Sequence, residues 1–145
     1  MKYAQKVIFI LFIMIIFSPK SSLAIGEQDF KPQDTFAGKF EMKCYHQNIF
    51  EADRAACYYK ATLLWDKELN KYYKLLMGKL HKKQQVNLKL AQIKWVKFRD
   101  AEIKSNESIE NAFNLGSGFG VLNLELTRYR ALQLKSWYDY LKTLQ

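Results

Sequence analysis

The chain has 145 residues, 23 of them basic and 14 acidic, a formal net charge of +9, and only two cysteines and two histidines. That length bounds it to about one domain. Two cysteines and two histidines do not stand at the spacings that the four ligands of a structural zinc site usually take, which argues against a metal centre as the organising element.

The first element is a targeting segment. MKYAQK is a short basic start, VIFILFIMIIF an apolar run of 11 residues, and SPKSSLA ends in the small-x-small pattern Ser22-Leu23-Ala24. That is the pattern of a secretory signal peptide over residues 1–24. The apolar run is well short of the ~20 residues needed to span a bilayer, so cleavage after Ala24 is favoured over retention as an anchor. No cysteine follows the run, which argues against a lipid anchor. The localisation expected is periplasmic or secreted. Without residues 1–24 the chain keeps 20 basic and 14 acidic residues, a net charge of +6. A basic exported protein meets anionic lipid, cell-wall polymer, nucleic acid or acidic proteins most easily. The plainer reading is that lysine-rich helices are simply soluble.

Residues 25–43 (IGEQDFKPQDTFAGKFEMK) show no sustained period and contain Pro32 and Gly38, so a flexible leader is expected there, with the domain itself over residues 44–145. Cys44 and Cys57, an even pair in an exported chain, are expected to form a disulfide. Closing a loop of 14 residues, it should stabilise the fold by about 3 kcal/mol.

From about Phe50 onward there is no proline, and glycine is confined to Gly78 and the 116–120 region. That distribution suits long helices. Helix one is predicted from about Glu51 to Leu80, with Trp65, Leu69, Tyr72, Leu76 and Leu80 on one stripe. A break is expected near 78–83. Helix two is predicted over Lys83 to Ser105, its main stripe being Leu88, Ala91, Trp95 and Phe98, with Gln92 and Arg99 at the edge. Val86, Leu90 and Ile93 lie on its other side, and two apolar sides imply more than one neighbour. Residues 105–120 (SNESIENAFNLGSGFG) read as a polar connection. Helix three is predicted from Val121 to Lys142, with Leu124, Thr127, Ala131, Leu134, Tyr138 and Leu141 on one face. The fold class is therefore all-α: three main helices with one disulfide near the N-terminal end.

The polar residues of these helices come in an ordered series. Asp66-x-x-Leu69-Asn70-x-x-Tyr73 is followed by Ala91-Gln92-x-x-Trp95-x-x-Phe98-Arg99-Asp100, and then by Leu126-Thr127-x-x-Arg130-x-x-x-Leu134. After a signal peptide and a cysteine pair, that series resembles the LprI-like lysozyme-inhibitor family, over about residues 44–142. The family's usual pattern has two further cysteines, one after the Arg-Asp pair and one before the Leu-Thr pair. Here those regions read RDAEI and VLNLELT, without cysteine. The NIFEADRAAC segment also lacks the Thr and Met-Asn often found there. The departures bear on partner specificity more than on fold.

Asp66, Asn70, Gln92, Arg99, Asp100, Thr127 and Arg130 lie on or beside apolar stripes, where an unpaired charge is costly. They are expected to form a structural network across helices, with Arg99 or Arg130 bridging Asp66 and Asn70 and Gln92 adding hydrogen bonds. A catalytic or ligand-binding cluster is the competing reading. There is no serine elbow, no phosphate-binding glycine loop, no free cysteine beside a base and no metal-ligand pair, so no enzyme and no cofactor are expected. Lys82, Lys83, Lys89, Lys94 and Lys97 lie among aromatics, but Trp95 and Phe98 fall on the apolar stripe, and base stacking needs exposed rings. A nucleic-acid role is not expected.

Two functions remain. The resemblance implies an exported, non-enzymatic protein that blocks a lysozyme or similar muramidase and protects a bacterial cell wall. The 106–120 loop, with Phe113 and Phe119, is the candidate to occupy the enzyme's cleft, unless it is only a flexible connector. Animal lysozymes are strongly basic, so a chain of charge +6 needs local acidic complementarity. Asp100, Glu102, Glu107 and Glu110 supply it. The alternative is a basic envelope module that binds anionic polymer, a membrane surface or a protein assembly. Neither reading fixes an oligomeric state.

Overall fold

The computed structural model describes residues 34–46, 51–113 and 119–144. The expected signal segment and leader up to residue 33, and residues 47–50, 114–118 and 145, lie outside the described residues. Four helices make up the fold: α1 (Phe36–His46), α2 (Glu51–Lys79), α3 (Lys82–Phe113) and α4 (Phe119–Thr143), with no strand among the described residues.

The sequence predicts three main helices, and the additional one is α1. It lies largely in the expected leader. Its period is hidden because the buried stripe Ala37, Glu41, Cys44 has a glutamate at its centre. Thr35 starts the helix: its hydroxyl oxygen accepts the Gly38 N–H at 2.9 Å, two residues inside the first turn. The Cys44–Cys57 disulfide, with Cα atoms 5.8 Å apart, ties the end of α1 to the beginning of α2.

α2 carries the predicted stripe into the core: Trp65, Leu69, Tyr72 and Leu76 are buried and Leu80 half-buried. It ends at the expected break. Gln85 covers that end, its amide donating to the carbonyls of Met77 and Leu80 at 2.8 and 2.9 Å. Gln84 accepts the His81 N–H at 3.0 Å, capping the start of α3. The two residues between α2 and α3 are thereby held without glycine or proline.

α2 and α4 run parallel. The Tyr72 and Tyr138 rings lie 6.0 Å apart, Leu76 and Leu80 share a cleft with Trp137 and Leu141, and Leu124, Ala131 and Leu134 complete the core from α4. α1 runs antiparallel to α2 on its first half. α3 returns antiparallel to α4 and gives the core a single buried residue, Leu88.

The register of α3 differs from the predicted one. The residues turned toward α4 are Leu88, Gln92, Trp95 and Arg99, continued by Ile103, Asn106 and Glu110, whereas Ala91 and Phe98 are exposed. Counting only apolar letters rotates the stripe by one residue. Long side chains with apolar stems tolerate the inner positions. α3 also continues past Ser105 to Phe113, so residues 106–113 are helix and not loop. No glycine or proline interrupts SNESIENAF, and Ile103, Asn106 and Glu110 keep one side against the domain.

Candidate functional site

The interhelical contact that joins most elements lies where the sequence gives little warning. Glu41 of α1 is buried. One carboxylate oxygen accepts the indole N–H of Trp65 at 2.8 Å, and the other accepts Arg128 of α4 at 2.6 Å. One carboxylate thus clamps α1, α2 and α4. Neither Glu41 nor Arg128 belongs to the polar series read from the sequence. The only hint was a glutamate four residues after an alanine and three before a cysteine.

Of the predicted polar residues, the structure brings Gln92 and Arg130 together across α3 and α4. Arg130 Nε donates to Gln92 Oε1 at 3.0 Å and its Nη1 donates to Gln133 Oε1. The guanidinium lies 5.5 Å from the Trp137 ring centre and 6.0 Å from that of Trp95. Arg130 is only 6% exposed, and Nη2 is buried with no hydrogen-bond partner among the described residues. Burial lowers its affinity for the proton from the ordinary value. It is a buried cation balanced by amide oxygens and ring faces, with no carboxylate paired to it among the described residues.

The other predicted residues stay on their own helices. Asn70 donates to both the side chain and the carbonyl of Asp66, at 2.8 and 2.9 Å. Arg99 pairs with its neighbour Asp100 at 2.8 Å and stacks over Trp95 at 5.2 Å. Neither arginine reaches Asp66. One turn of helix separates Asp66 from Asn70, which satisfies both locally, while α3 lies against α4 and not against the Asp66 face of α2. Thr127 is buried, and its hydroxyl donates to Asn123 at 3.3 Å. Phe113 and Phe119 fall at the boundary of the segment 114–118, and their side chains lie outside the described residues. On the α2 surface, a hydrogen bond to Glu68 holds Lys71 above its usual range despite an opposing effect of burial.

Two surface features remain. An apolar cleft of about 400 Å³ opens between the end of α2, the beginning of α3 and the end of α4, walled by Leu76, Leu80, Leu88, Ala91, Trp137 and Leu141. The surface charge is sorted along α3. Residues 70–99 hold nine basic residues and no acidic one, whereas residues 100–113 hold Asp100, Glu102, Glu107 and Glu110 against Lys104 alone. At about 1.5 Å per residue, a helix of 32 residues is roughly 48 Å long. The two clusters abut at the Arg99–Asp100 pair, so the helix has a basic half and an acidic half that meet there.

Among the described residues no three His, Cys, Asp or Glu side chains gather where a metal could sit, and no helix is long and apolar enough to cross a membrane. Among the described residues, these features define a small all-α domain with one disulfide. The sequence model of one protein family, described as Lysozyme inhibitor LprI, matches residues 44–134. That is well over half of the chain, and the chain belongs to this family. No curated protein and no solved structure matches it.

Proposed function

We propose that the protein is exported, binds a lysozyme or related muramidase and blocks it without catalysing a reaction, so protecting a bacterial cell wall. The family match over residues 44–134 carries this reading, and the far half of α3 supplies a surface for it. Phe98, Glu102 and Ile109 are exposed at helical spacings of four and seven. An amphipathic helix face of this kind seats in an apolar groove, and its carboxylates complement a basic enzyme. Asp100, Glu102, Glu107 and Glu110 give this half of the helix a local negative charge within a chain of net charge +6.

The test is a muramidase turbidity assay on Gram-positive cell walls with the chain beginning at Ile25. Expected are inhibition at physiological salt and its loss in Glu102→Lys and Phe98→Ala. Full muramidase activity at micromolar protein, across lysozymes of different origin, would refute the reading.

A further inference from the structure

α3 has an outer side that no element of the domain covers. Val86, Leu90 and Ile93 are 65%, 49% and 46% exposed. At 3.6 residues per turn they fall within roughly 60° of one another. The flanking positions are all lysine: Lys82 and Lys89 on one edge, Lys83 and Lys94 on the other, and Lys97 at the far end, every one of them exposed. The opposite side, Leu88, Gln92 and Trp95, is held against α4, so the orientation of the strip is fixed by the fold.

We propose that this strip, residues 82–97, docks the protein on an anionic lipid bilayer, with the first half of α3 seated in the interface. An aliphatic ridge seats between acyl chains while lysines on both edges extend along it to phosphates, their stems covering the ridge. The charge pattern selects this occupant. A second copy related by a two-fold axis through the ridge would set lysine against lysine, whereas an anionic bilayer offers opposite charge and apolar depth together. The acidic half of the same helix, with Asp100 and Glu107 on the ridge's own side, is repelled by that surface, so the helix tilts to lift residues 100–113 from it. The inference does not depend on muramidase inhibition and is read by a different assay.

The experiment is flotation of the protein, purified after export, with vesicles of phosphatidylcholine alone or containing one-third phosphatidylglycerol. Binding to the anionic vesicles only, weakened by salt, is expected. Each of Lys83→Gln and Lys94→Gln should lower the partition coefficient about fivefold, from the usual contribution of one basic residue near an anionic surface. Leu90→Ser with Ile93→Ser should lower it further at unchanged helical circular dichroism, since both positions are exposed. Comparison within one chain cancels any contribution of residues 1–24. Equal binding to both vesicle types would overturn the proposal. So would anionic binding that persists in Leu90→Ser/Ile93→Ser, which would make the strip a general polyanion site, or self-association that those substitutions abolish, which would make it a subunit interface.

Discussion

Replacing Glu41 with alanine removes the one carboxylate that touches three helices. Trp65 is fully buried, so its indole N–H, now without an acceptor, carries a desolvation penalty of about 1–3 kcal/mol. Arg128 is different. Its side chain is 29% exposed, so water replaces most of what it loses, and the 3–5 kcal/mol typical of breaking a fully buried ion pair is an upper bound. The cavity left by a nearly buried glutamate adds part of a methylene's transfer energy, ~0.8 kcal/mol per group. The total expected is about 2–4 kcal/mol, or roughly a 10 °C fall in melting temperature for a domain of this size. Urea and thermal unfolding followed by far-UV circular dichroism measure it. Glu41→Gln keeps an oxygen for Trp65 and forfeits only the charge toward Arg128, so it should cost about 1 kcal/mol. If Glu41→Ala unfolds within about 0.5 kcal/mol of the parent, the clamp does not hold the helices together. If Glu41→Gln is as damaging as alanine, the weight rests on Arg128 and the reasoning about Trp65 is wrong.

Other substitutions probe other contacts. Gly78 lies inside α2 with open space where a side chain would begin, so Gly78→Ala should raise stability by about 0.5–1 kcal/mol in the same urea titration. Arg130→Met exchanges a desolvated cation for an apolar side chain of similar length, and stability should stay within about 1 kcal/mol or improve. A loss above about 3 kcal/mol would show that its bonds to Gln92 and Gln133 and its stacking on two tryptophans outweigh the burial of its charge. Reducing the Cys44–Cys57 disulfide should lower stability by about 3 kcal/mol, measured by unfolding with and without dithiothreitol. Because α1 is anchored there, the reduced protein should also lose protection of Trp65 first, seen as faster indole hydrogen exchange.

Much of the fold was legible because it rests on apolar spacing. The Trp65-to-Leu76 stripe, the break after residue 79, the disulfide and the face of α4 all follow from residues whose burial is favourable on its own. What was hidden depends on polar residues that are buried only because a partner is present. Glu41 reads as a solvent residue until Trp65 and Arg128 arrive, so α1 looks irregular. Gln92 and Arg99 occupy inner positions of α3 through contacts with Arg130 and Trp95, so the apolar stripe was assigned one residue out of register. The Asp66–arginine bridge failed for the reverse reason: Asn70, one turn away, satisfies Asp66 without help from another helix. Of the candidate binding region, the acidic stretch was visible in composition, but its helical form was masked by Ser and Asn, which belong as readily to loops as to exposed helix faces.

The parallel pairing of α2 with α4 sets the order in which the chain can assemble. α1 and α2 are close in sequence and covalently tied, so they can associate early. The partner that completes their core begins 40 residues beyond the end of α2, on the far side of α3, and cannot fold straight back as a helical hairpin does. Closure of that long connection must precede the main burial of apolar surface, and such non-local closure slows folding. Refolding should therefore lag behind that of a bundle of equal length in which each helix packs mainly on its neighbour in sequence, with Trp65 and Leu76 transiently uncovered. A newly made chain spends that interval with those apolar side chains open to other proteins around it.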